Sequence, residues 1–126
     1  MEELAFFVAA VCAQGAAGPD TMTIGQLIGA VLAVDTEADA RRFFGGYLAW
    51  QRTQRQAPGT TPERVVLSNI GWCFGEGMPD ARVAMWRRVC DAAHPVFGTS
   101  RPTADEALRA GLELGAALRR KEDGRG

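Results

Sequence analysis

The sequence predicts an all-α protein, a compact bundle of about five to six short helices in a single domain. Three observations carry this. Apolar residues recur at helical spacing along most of the chain, as at Ala40, Phe43, Phe44, Tyr47 and Leu48. No segment alternates apolar and polar residues in the way a half-buried strand does. Helix-start and helix-stop residues punctuate the periodic stretches. A length of 126 residues leaves room for one domain-sized core.

The first helix is read from Leu4, Phe7, Val8 and Val11, which share one stripe. Residues 4–13 also have the apolar character of a secretion-signal core. Glu2 and Glu3 stand where such a signal carries Lys or Arg, so the stretch is read as a helix of the folded protein. Met22 is a second plausible start. It makes residues 1–21 a candidate extension to a core of residues 22–118, with residues 119–126 a frayed polar tail.

Gly18-Pro19-Asp20 reads as a turn, and Thr23 can cap a short helix carrying Ile24, Leu27, Ile28 and Val31. Asp35 or Thr36 can cap a longer helix to residue 57, with Glu37 and Asp39 in its first turn, where the helix dipole favours acids. Gly45-Gly46 inside it weakens helix formation by about 1 kcal/mol per glycine relative to Ala, which points to a kink or a close neighbour. Ala57-Pro58-Gly59 ends this helix and Thr61-Pro62 starts the next, with Val66, Leu67, Ile70, Cys73 and Phe74 facing inward.

After a turn at Gly77-Met78-Pro79-Asp80, a helix runs to about Ala93 with Val83, Trp86, Val89, Cys90 and Ala93 on one face. Pro95 disfavours helical geometry at His94 and stops it there. The loop beyond is expected to be fixed, with Phe97 inserted between helices and His94 hydrogen-bonded to backbone. Thr103 and Glu106 form a capping box for the last helix. Gly71/Gly75 and Gly111/Gly115 are spaced four apart on two helices, so each pair lies on one stripe. The two stripes are expected to face each other, with the helix from Pro62 packed on the helix from Ala104.

Fourteen basic and fifteen acidic residues leave a net charge of −1, with no bulk basic signal for nucleic acid. Lys121 is the only lysine; with the heavy Ala and Gly usage this fits a GC-rich bacterial or phage genome. Residues 1–40 hold six acidic and no basic residues, and the remainder has a net charge of +5. Such asymmetry can orient copies in an assembly, or follow simply from which faces meet water. No apolar run reaches the ~18 residues of a membrane span, so no membrane partner is expected.

Chemistry is sparse. Cys12, Cys73 and Cys90 sit far apart in apolar segments and read as reduced, buried thiols of a cytoplasmic protein. With a single His and no paired-cysteine spacing, neither a metal site nor a cofactor is expected. Cys90 and His94 are four apart, but Pro95 and the apolar setting of Cys90 favour a buried thiol and a loop-anchoring His over a catalytic pair. No catalytic motif is present, and the protein is read as non-enzymatic.

Two surfaces remain as candidates. Trp50, Trp72, His94 and Phe97 could anchor a protein partner, since exposed Trp dominates interfaces; equally, the two tryptophans could pack sideways on neighbouring helices. Arg41, Arg42, Arg52 and Arg55, beside Trp50 and several Gln, could contact phosphates and bases. Against this, Glu37 and Asp39 occupy the start of the would-be reading helix.

One further pattern is informative. NIGWCFGEG (residues 69–77), HPVFG (94–98) and PTADEALRAG (102–111) resemble small uncharacterised proteins of bacteriophages and prophages. Those typically show an N-I-G-aromatic helix, an H-P-hydrophobic-F-G loop and a P-T-x-x-E-A-L-x-x-G helix start. The likeness spans about residues 61–116. It implies a phage or mobile-element accessory or virion-associated protein, located in the bacterial cytoplasm or the virion. The combined expectation is a protein-protein interaction or assembly protein, binding its own copies as a homo-oligomer or another protein. In that oligomer residues 1–21 are expected to contribute to the interface. The alternative is a nucleic-acid-binding accessory protein using the arginine helix.

Overall fold

The computed structural model describes residues 2–93 and 104–123. Among these the protein is all-α: α1 (Glu2–Cys12), a short 3-10 turn (Pro19–Thr21), α2 (Ile24–Ala33), α3 (Glu37–Arg52), α4 (Pro62–Phe74), α5 (Asp80–Ala93) and α6 (Ala104–Asp123). The chain forms two compact units, one ending at Val66 and one starting at Leu67, so α4 gives its first residues to one and the rest to the other.

In the first unit α1 lies along α3. Phe7 and Val11 are completely buried, and the Phe7 ring stacks on Tyr47 at 5.0 Å and meets the Phe43 ring edge-on at 5.2 Å. Phe7 and Val11 are thus covered within their own unit, while Leu4 and Val8 of the same face are half-buried. Gly46 explains the glycine pair of α3: a Cβ there would run into the Glu3 carbonyl and the Phe7 Cβ, so α1 rests on bare backbone. Glu2 pairs with Arg42 at 3.1 Å and Phe7 reaches Tyr47 and Trp50, which makes the two helices run in the same direction.

The caps follow the chemistry of the sequence. Thr23 Oγ1 accepts from the Gln26 N–H while Gln26 Oε1 accepts from the Thr23 N–H, a complete capping box. At α3 the cap is Thr36, whose Oγ1 accepts from the Asp39 N–H. At α4 Thr61 accepts from the Arg64 N–H.

Helix α3 ends five residues earlier than the expected stop at residue 57. The Thr53 hydroxyl donates to the Trp50 carbonyl at 2.7 Å, and Gln56 Nε2 donates to the carbonyls of Gln51 and Gln54 at 2.8 Å. Side chains thereby satisfy carbonyls that a further helical turn would have used.

In the second unit Val66's neighbours in the inward stripe of α4, namely Leu67, Ile70, Cys73 and Phe74, are all buried, as are Met85, Trp86, Val89 and Cys90 of α5 and Ala104, Ala107 and Leu108 of α6. Met78 and Met85 join this core although the periodicity does not single them out; Val83 and Ala93, read as inward, are only half-buried. The two glycine stripes do face each other. A Cβ on Gly111 would collide with the Ser68 backbone, and one on Gly71 with the Leu108 backbone. Gly115 lies against Trp72, four residues further along both helices, so α4 and α6 also run in the same direction.

The sequence carries no visible repeat, yet both units join their first and third helices in parallel through glycine. Helix α6 extends through Asp123, past the point where a frayed tail was expected, and Arg119 in that stretch pairs with Glu76 at 3.0 Å. The expected Thr103 cap and the His94–Phe97 loop lie outside the described residues.

Candidate functional site

The two tryptophans offered as anchors are half-buried in their own units. Trp50 sits 5.9 Å from the Phe7 ring and 6.3 Å from Tyr47, extending the aromatic cluster between α1 and α3. Trp72 fills the space beside Gly115 and donates from Nε1 to the Glu76 carboxylate at 3.3 Å. Both rings therefore pack sideways. His94 and Phe97 lie outside the described residues.

Three of the four arginines of the nucleic-acid alternative lie near carboxylates. Arg41 pairs with Glu37 at 3.1 Å, and Arg42 with Glu2 at 3.1 Å, with Asp39 also at 3.8 Å and the Phe6 ring 5.8 Å away. Arg52 pairs with Glu63 at 3.2 Å. Arg55 is exposed beyond the end of α3. The acidic bias of residues 1–40 is thus partly directed at α3 itself.

The thiols divide. Burial pushes Cys73 up to about 12, with Glu76 adding to the effect, and its thiol donates to the Asn69 carbonyl at 3.2 Å. Burial likewise pushes Cys90 up to about 12, with Asp91 adding to it and Arg87 opposing. A thiol held so high is a poor nucleophile at neutral pH. Cys12, read as buried, is exposed. It follows the buried Val11 by one residue, and a turn of about 100° carries it off the inner face. Among the described residues no three His, Cys, Asp or Glu side chains gather as metal ligands, and no helix is long and apolar enough to cross a membrane.

The feature that sequence reasoning missed is on α6. Leu114 is 53% exposed and Leu118 is 40% exposed, against fully packed Ala107 and Leu108 one to three turns earlier. Around the helix, Gly111 and Gly115 face α4, while Asp105 faces α5 through a 2.8 Å ion pair with Arg87. Leu114 stands on the same line of the helix as buried Ala107, two turns past the residue that the core covers. Leucine spacing alone does not announce this, because Leu108, Leu112, Leu114 and Leu118 crowd the helix with apolar positions.

Comparison with protein-family models, with curated proteins and with solved structures finds no match to this chain.

Proposed function

We propose that this is a non-enzymatic protein-binding or assembly protein whose docking face is the open edge of α6. The observation that supports it is the pair of exposed leucines, Leu114 and Leu118, one helical turn apart on a helix whose other sides pack on α4 and α5. Helix-borne apolar residues at this spacing are the usual way one helix offers itself to another. The buried, proton-holding thiols Cys73 and Cys90 offer no competing chemistry, and carboxylates lie against three of the four arginines of the nucleic-acid reading. The likeness of residues 61–116 to phage and prophage proteins suggests the setting, an accessory or virion-associated role in a bacterial host.

The test is site-specific photocrosslinking in bacterial cells expressing the full chain. A photoreactive residue at Leu114 is expected to give a discrete protein adduct. The same residue at Ala38, exposed on α3, is expected to give none. No adduct at Leu114, or the same adducts at both positions, overturns the reading.

A further inference from the structure

The open edge of α6 consists of Ala110, Leu114, Ala117 and Lys121, all exposed. Their spacing of four, three and four residues keeps them on one line along the helix, the pattern by which two helices pack side by side. Leu118 adjoins the line on the α4 side. On the other flank stand Glu113 and Arg120, seven residues apart and both exposed. Elsewhere on the helix, Arg109 is held by Asp105 at 2.7 Å and Arg119 by Glu76 at 3.0 Å. Glu113 and Arg120 have no ion-pair partner among the described residues.

We propose that this edge is a two-fold contact with a second copy of the chain, in which the two α6 helices run antiparallel and each Glu113 lies beside the other copy's Arg120. The proposal rests on the protein-binding reading of α6 and names its partner. Antiparallel pairing centred between Leu114 and Ala117 sets each Leu114 over the partner's Ala117, large against small. It sets the aliphatic stem of Lys121 over the partner's Ala110. The same register brings Glu113 and Arg120 together twice, once on each side of the axis, as an isologous contact requires. A parallel pairing gives neither charge an opposite. The edge is therefore complementary to itself in one orientation. A single-helix contact is small beside a standard interface, so the dimer is weak and dissociates on dilution.

The experiment is a charge swap in the full-length protein, read by sedimentation over a concentration series, with circular dichroism confirming that each variant is folded. E113R alone sets Arg against Arg twice, and R120E alone sets Glu against Glu twice. Each is expected to raise the dimer dissociation constant by at least about tenfold. The E113R/R120E double variant restores both pairs and is expected to return it to within about threefold of the parent, as is an equimolar mixture of the two single variants. A parent that stays monomeric at millimolar concentration overturns the proposal. So do single variants that dimerise like the parent, or a double variant that fails to recover. The Leu114 crosslinking separates this from the broader reading: an adduct to a different protein overturns the self-pairing and keeps the docking face, whereas no adduct overturns both.

Discussion

Replacing Gly111 by Ala tests how α4 and α6 are held together. A Cβ at this position would overlap the carbonyl oxygen, carbonyl carbon and Cα of Ser68, all backbone atoms of a helix that cannot rotate aside. The helices must separate locally, which places the change at the upper end of overpacking costs, about 3 kcal/mol. The better helix propensity of Ala returns about 1 kcal/mol. The net loss is about 2 kcal/mol, or roughly 6–12 °C in melting temperature for a chain of this size. Gly75→Ala is the control. Its Cβ would meet the tip of the Arg119 side chain at 2.6 Å and the Leu112 Cδ1 at 3.1 Å, both able to move, so that variant is expected to be neutral or slightly more stable. Urea unfolding followed by far-UV circular dichroism measures both. A Gly111→Ala protein as stable as the parent, or a Gly75→Ala protein that loses more, would refute the close-contact reasoning.

Other predictions follow the same physics. Phe7→Ala removes the ring stacked on Tyr47 and set edge-on to Phe43, and is expected to cost about 3–5 kcal/mol by denaturant unfolding. Thr23→Ala breaks a complete capping box and is expected to cost about 1 kcal/mol in the same assay. Under native conditions a thiol reagent should label Cys12 quickly and Cys73 and Cys90 only as the protein opens; equal labelling of all three contradicts the burial pattern. The native thiols of Cys73 and Cys90 hold their protons to about 12 against 9.0 when unfolded. Between these values the unfolded chain binds fewer protons than the native one, so stability should be flat below pH 9 on their account and fall from there towards pH 12. A pH titration of the urea midpoint, compared with a Cys73→Ala/Cys90→Ala variant, isolates their share.

Much of the helical plan is legible in the residues. Phe7 and Val11, Phe43 and Tyr47, and Ile70 and Cys73 announce their inner faces by spacing, and Thr23, Thr36 and Thr61 announce the starts. Gly46, Gly71 and Gly111 are legible because a helix keeps such costly residues where another backbone comes close. The end of α3 is not, because it depends on Gln56 folding back onto two carbonyls, a choice made by side-chain geometry. Along its continuation α6 meets a partner that sequence spacing does not announce, Glu76, which pairs with Arg119. The open edge of α6 is hidden for a related reason. Leu114 differs from Leu108 only in which neighbours the fold sets beside it.

The glycines that let α4 and α6 touch also make each of them a poor helix alone. Gly71 in one, and Gly111 and Gly115 in the other, lower helical preference by about 1 kcal/mol apiece, while Gly75 stands just past the end of α4. Neither segment is therefore expected to hold its shape as a free peptide: α4 has 13 residues, a length at which even favourable sequences are marginal in water, and α6 carries two glycines in its interior. Each becomes a helix because the other is there to receive its bare backbone. Secondary structure and tertiary contact in this unit should appear and vanish together, as one cooperative event with no stage of preformed helices awaiting assembly.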